Sequence, residues 1–275
     1  MIERVEVLGQ PAYRLVAADG AEATVLLHGA QIVSWIPAGD VERLYLSPLA
    51  AAGPGQAVRG GIPVVFPQFA SQGPLPKHGF VRDRAWRWVE GAERAGVAIG
   101  VLARDDDAAT RALWPHAFGI ELTLSVGALE LEVELAVLNR GETAFDFQAA
   151  LHSYWRCDDS RRARLHGLHG TRYLDTLNGR EQRQEIDPQG FGAAIDRIYF
   201  DAAGPLHFST AFGRMALTAD GFGDAVVWNP GPDARLADLP EDGWQQFVCI
   251  ESAALGRTIV LAPGDEWVAR MTASA

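Results

Sequence analysis

The chain has 275 residues, 48% of them hydrophobic, and a formal net charge of -11. That length can bury a large core, and the acidity argues against non-specific nucleic-acid binding, which rests on basic surface. The only cysteines are Cys157 and Cys249, with no CxxC pair and no Cys/His cluster of zinc spacing, so neither a disulfide scaffold nor a structural metal is expected.

The first residues, MIERVEVLGQ, lack the charged-then-apolar pattern of a signal peptide. No apolar run approaches the ~20 residues that span a bilayer. A cytoplasmic protein without a membrane segment is therefore expected. Short strands are predicted at Arg14 to Val16, Ala23 to Leu27, Gln31 to Ile36 and Arg43 to Ser47. Asp19-Gly20, Pro37 with Gly39-Asp40, and Pro48 mark turns between and after them. His28 sits at a strand end, where a structural role outweighs that of a ligand.

The stretch from Val58 to Arg87 has a different character. It reads VRGGIPVVFPQFASQGPLPKHGFVRDRAWR and contains no acid before Asp83. Its glycines and prolines forbid a long helix. It therefore reads as an ordered loop that holds Arg59, Lys77, His78 and Arg82, with a short apolar run inside it. Loops on rigid scaffolds are where binding residues concentrate. A cationic pocket in an acidic protein suits a small anionic ligand; balancing nearby surface carboxylates is the other reading.

Beyond it, Ala85 to Glu90 and Val97 to Ala103 read as strands. Arg104 to Arg111, with Asp105, Asp106 and Asp107 in a row, reads as a solvated turn, since the spacing of a calcium loop is missing. Phe118 to Val126 and Ala128 to Asn139 form a predicted hairpin around Gly127. In its second arm Leu129, Leu131, Val133, Leu135 and Val137 alternate with Glu130, Glu132 and Glu134, the pattern of a half-buried antiparallel strand. In Ala144 to Tyr154 one face carries Phe145, Phe147, Ala149 and Leu151. The other carries Asp146, Gln148, Ala150, His152 and Tyr154, polar but weakly charged, like the lining of a cleft. Further short strands follow at Leu206 to Phe208, Arg214 to Thr218, Ala225 to Asn229, Phe247 to Glu251, Thr258 to Ala262 and Glu266 to Thr272. About twenty short strands and no long 3.6-residue period predict an all-β protein, a large antiparallel β-sandwich. No linker divides it, so residues 1–275 read as one domain.

Six segments resemble one family: RGGIPVVFPQF at 59–69, KHGFVRDRAW at 77–86, LHSYW at 151–155, DRIY at 196–199, VVWNP at 226–230 and FVCIESA at 247–253. Together they resemble the hexose-6-phosphate mutarotases, or glucose-6-phosphate 1-epimerases, a branch of the aldose 1-epimerase superfamily. The resemblance implies a galactose mutarotase-like β-supersandwich and interconversion of the α and β anomers of a hexose 6-phosphate. It matches the catalytic histidine to His152 and the catalytic glutamate to Glu251. It matches substrate-binding residues to Arg59, His78 and Arg82, and an aspartate to Asp196, with Asp175 in competition. Lys77 stands where the family often has glutamine, adding a positive charge at the implied phosphate site.

Ring opening asks for a base toward the C1 hydroxyl and an acid toward the ring oxygen, work suited to a carboxylate and a histidine. It needs no cofactor or metal. The implied partner is a small-molecule hexose phosphate, met by a monomer without nucleic acid or membrane. Two other functions stay open: an aldose 1-epimerase acting on free sugars, and a non-catalytic sugar-phosphate-binding protein. So do structural roles, with Glu251 paired to Arg257 and His152 a satisfied strand histidine.

Overall fold

The alternation of Leu131 to Val137 with glutamates becomes the strand Glu130–Asn139. It pairs in antiparallel register with Phe118–Gly127 through a tight turn at Ala128 and Leu129. Its apolar side chains lie in the main core and its glutamates stay partly exposed. The structure, a computed structural model, describes residues 1–202 and 204–275.

Among the described residues, three sheets build the molecule. The first is a four-stranded meander of Ile2–Val7, Gln10–Val16, Glu22–Leu26 and Ile32–Ile36. The second has eight strands. Its spatial order is Arg180–Arg183, Arg172–Asp175, Ile195–Tyr199, Asp224–Asn229, Phe247–Leu261, Phe145–Leu151 and Val64–Val65, with Tyr154–Arg156 also pairing with Phe247–Leu261. The third runs over nine strands from Gln189–Gly190 through Arg164–His166, Leu206–Thr210, Gly213–Asp220, Glu266–Ser274, Glu130–Asn139, Phe118–Gly127 and Val97–Asp105 to Arg87–Arg94. Every ladder between these strands is antiparallel.

The all-β sandwich reading therefore holds, with one inner face clearly defined. Ala225, Val227, Val248 and Ile250 of the eight-stranded sheet share a buried cluster with Leu131, Val133 and Met271 of the nine-stranded one. Side chains alternate across a strand, so Val226, Trp228, Phe247, Cys249 and Glu251 must point to the opposite, outer face. There Val226, Ile198 and Ala253 form one apolar patch, and Tyr154, Phe247 and Cys249 another.

Local expectations differ from the structure at several places; Leu129, expected on a buried face, is exposed in the turn before Glu130–Asn139, and the strand expected from Ala85 begins at Arg87. The acidic stretch expected as a turn holds a short helix, Ala108–Leu113. Asp107 caps it: its side chain accepts from the Thr110 amide at 2.8 Å while the Thr110 hydroxyl accepts from the Asp107 amide at 2.8 Å. Arg43 to Ser47 is not a strand. Leu44 and Leu46 make isolated bridges to two different segments, at Trp155 and Gly60. Phe247 to Glu251 and Thr258 to Ala262, expected as two strands, belong to the single strand Phe247–Leu261, whose pairing with Phe145–Leu151 shifts register midway. Ala144 to Tyr154, expected as one strand, is broken at His152 and Ser153. Among the described residues no helix is long and apolar enough to cross a membrane.

Candidate active site

The register of the eight-stranded sheet assembles the site on its outer face. Asp196 pairs with Trp228, Trp228 with Cys249, and Cys249 with Tyr154, so four strands contribute to one cross-strand row. In the next row Ile198 faces Val226 and Val226 faces Glu251. His152 lies in the break between Phe145–Leu151 and Tyr154–Arg156, held by its amide donating to the Pro63 carbonyl at 2.9 Å. This places the His152 Nε2 atom 3.3 Å from Glu251 Oε1.

The loop read as cationic folds over these rows. A cavity of about 480 Å³ results, and it contains Arg59, Lys77, His78, Arg82, His152, Asp196 and Glu251 together. Those are the seven residues singled out in the sequence. Asp175, the competing aspartate, lies outside the cavity lining; it sits 3.5 Å from Arg197 Nε and accepts from the Leu177 amide. Arg257, the alternative partner for Glu251, is 92% exposed and lies against Asp201 instead. His28 is buried outside the cavity, its Nε2 within 2.7 Å of the Gln56 carbonyl. Of the face expected to line a cleft, His152 and Tyr154 reach the cavity. Asp146 and Gln148 line a neighbouring hollow that shares Gln72 with the cavity.

Around the site, Trp228 and Asp238 carry no mark in the sequence reading, and Tyr154 carries only its place on the face expected to line a cleft. Tyr154 stacks on the His152 ring with centroids 5.0 Å apart. Its hydroxyl accepts from Arg59 Nη1 at 2.9 Å. Trp228 meets His152 edge-on at 6.0 Å, and the Arg59 guanidinium lies 5.9 Å from the Trp228 ring. Asp238, from the loop between Gly231 and Gly243, accepts from Arg59 Nε at 3.1 Å. Trp228 lies inside a quoted motif, yet an aromatic residue in a strand reads as core without the register that aims it.

The electrostatics follow from burial among cations. His152 and Glu251 are each more than nine-tenths buried, and neither His152 Nδ1 nor Glu251 Oε2 has a partner in the protein. Burial, followed by the nearby Asp196 carboxylate, holds the Glu251 carboxyl well above its ordinary range. Burial, then His78, Arg82 and Arg59, holds the His152 imidazole well below its own. His78 is pushed down to about 3 by burial and by Arg82, Lys77 and Arg59. Its Nδ1 accepts from the Ala70 amide at 3.3 Å, so the neutral ring carries its proton on Nε2 and is a donor.

His152, Cys249 and Glu251 are also the one group among the described residues with metal-ligand atoms close together. Three cations on the same cavity make it a poor seat for a divalent ion, and a good one for an anion beside an acid–base pair.

The aldose 1-epimerase family model matches residues 11–274. A Cenchrus ciliaris protein provisionally named a glucose-6-phosphate 1-epimerase is 32% identical over 269 residues, covering 92% of this chain and 81% of that protein. An Escherichia coli K12 protein with the same provisional name is 35% identical over 250 residues, covering 86% of this chain and 81% of that protein. The crystal structure of a Salmonella typhimurium protein, provisionally described as a mutarotase, superposes with a TM-score of 0.90 at 28% identity. The match covers 99% of this chain and 92% of that one.

Proposed function

The chain belongs to the aldose 1-epimerase family of isomerases, and we propose that it interconverts the α and β anomers of a hexose 6-phosphate, glucose 6-phosphate foremost. One observation carries the phosphate: Arg59, Lys77 and Arg82 line the cavity that holds the His152–Glu251 pair. A free sugar offers no dianion to those cations. Arginine can grip phosphate oxygens in a bidentate fork, and lysine adds a compact charge. The provisional names of the relatives point the same way.

In this reading Glu251 takes the proton of the C1 hydroxyl. The C1 to ring-oxygen bond breaks, its electron pair goes to the ring oxygen, and His152 delivers a proton there. The open aldehyde turns about C1–C2 and closes from its other face, and both protons return. The two sugar oxygens are bonded to the same carbon, so an acid and a base 3.3 Å apart can address both. Glu251 Oε2 and His152 Nδ1, lacking protein partners, are free to meet substrate or the other's proton. His78 donates from Nε2 to an oxygen near the breaking bond. The pair starts and ends each half-cycle with one proton between its two groups.

The test compares glucose 6-phosphate with glucose in the wild type, Arg59→Ala and Arg82→Ala. A charge-assisted hydrogen bond contributes about 1.5–3 kcal/mol. Each substitution is therefore expected to lower kcat/KM for the phosphorylated sugar by roughly tenfold to a hundredfold. The reaction of glucose is expected to suffer much less. A wild type that prefers glucose, or variants that harm both sugars equally, would sink the phosphate assignment in favour of a free-sugar epimerase.

A further inference from the structure

The cations of the cavity are connected to the catalytic pair by contact. Arg59 holds the hydroxyl of Tyr154, and the Tyr154 ring is stacked on His152. Arg82 Nη2 donates to the carbonyl of Lys77, whose neighbour His78 packs edge-on against His152 with centroids 5.4 Å apart. Arg59 has a carboxylate partner in Asp238. Among the described residues Arg82 and Lys77 have none within ion-pair distance. Charged and titratable groups face His152 from several elements. Its own segment gives Tyr154, the strand Phe247–Leu261 gives Glu251 and Cys249, and Ile195–Tyr199 gives Asp196. The covering loop gives Arg59, Lys77, His78 and Arg82, while the strand Asp224–Asn229 gives only uncharged Trp228 and Val226.

The cavity thus holds positive charge, of which two centres lack an ion-pair partner among the described residues, around a buried group that must carry a proton. We propose that the substrate phosphate is a working part of the acid–base machinery: by occupying the cationic end of the cavity it supplies the counter-charge under which His152, rather than Glu251, holds the one proton that the pair moves. This rests on the phosphate reading above. In the absence of a dianion the cations keep that proton off His152 and leave it on Glu251, where it blocks the base; with one bound, the proton passes across the 3.3 Å contact to His152 and Glu251 is freed to accept from the C1 hydroxyl. The directions of the shifts agree: burial, then His78, Arg82 and Arg59, disfavours imidazolium at His152, while burial and Asp196 favour the protonated carboxyl at Glu251. Phosphate binding then raises kcat as well as lowering KM, and the sixth-carbon substituent acts on chemistry at C1 without touching it.

The experiment supplies the sugar and the anion as separate molecules. Enzyme-catalysed anomerisation of free α-glucose is followed with and without inorganic phosphite. Chloride holds the ionic strength constant, and the enzyme-free rate at each anion concentration is subtracted. Phosphite is expected to accelerate the wild type saturably by about tenfold or more, the change in protonated fraction that one unit of pKa gives. Sulfate, whose charge is constant over the range, is expected to move the basic limb of the glucose pH profile to higher pH. Arg82→Ala is expected to lose the response to phosphite. If phosphite competes with glucose 6-phosphate yet leaves glucose turnover and its pH profile unchanged, the proposal is wrong and the phosphate subsite stands. If phosphite neither competes nor accelerates, the subsite itself fails and the proposal with it.

Discussion

Glu251→Gln and His152→Asn are each expected to lower kcat for anomer interconversion by about 10²-fold or more, because each removes one proton-transfer partner. Glutamine keeps the shape of the side chain in a site where only 2% of Glu251 is exposed. The loss should therefore come with an intact fold. Stability should move the opposite way. Burial holds the Glu251 carboxyl well above its ordinary range, so the folded protein binds a proton there more tightly than the unfolded chain does. Such a group gives stability that is fully present below the ordinary carboxylate range and is lost as pH rises through the raised value. Glu251→Gln should abolish that loss, leaving a melting temperature at neutral pH at least equal to that of the wild type. Calorimetry and single-turnover kinetics on the same preparations check both halves. Near-normal turnover in either variant would remove the residue from the mechanism. A dead Glu251→Gln that also melts early would mean that the carboxylate serves the fold.

The pH profile adds a sign. Two groups in contact titrate as a unit, and the working form holds one proton between them. Activity falls on the acid side as the second proton arrives and on the basic side as the last leaves. The Glu251→Gln variant has no base at any pH, so its residual rate should lack that bell.

Much of the fold could be read from local patterns. Alternation in Glu130–Asn139 states both its conformation and its buried face, and the turn residues between short apolar runs state where strands stop. What local patterns lack is the identity of lateral neighbours. Asp196, Trp228, Cys249 and Tyr154 form one row because four strands align in register, and no periodicity within any of them says so. The six motifs supplied that proximity through resemblance instead. Asp175 and Asp196 could not be separated in the sequence for the same reason. Asp175 pairs in register with Arg197, and Asp196 falls on the alternate face and opens to the cavity. The helix Ala108–Leu113 escaped because six residues are too few to show a period, leaving the Asp107–Thr110 cap as its only signal.

Gly79→Ala is expected to be the most damaging single methyl in the site. Gly79 has φ +74°, the left-handed region, and a Cβ built there would lie 1.8 Å from the Phe66 carbonyl oxygen and 2.4 Å from its carbon. That carbonyl already accepts from the Phe80 amide at 3.1 Å, so the backbone cannot simply back away. Phe66 and Phe80 are fully buried among Trp114, Phe118 and Phe147, which fixes both sides of the approach. The left-handed conformation costs an alanine roughly 1–2 kcal/mol. Forcing a methyl into packed surroundings costs about 1–3 kcal/mol more. For a chain of this size each kcal/mol lowers Tm by about 2–4 °C, so a fall of roughly 4–20 °C is expected. Gly39→Ala is the control. It shares a positive φ of +70° but has nothing within 4 Å of the added Cβ, so it should show only the conformational part. The extra loss in Gly79→Ala should come with a drop in kcat/KM for the hexose phosphate, because His78 and Arg82 flank the displaced backbone. If the two variants melted together, the close approach of Gly79 to Phe66 would not be what holds this loop over the site.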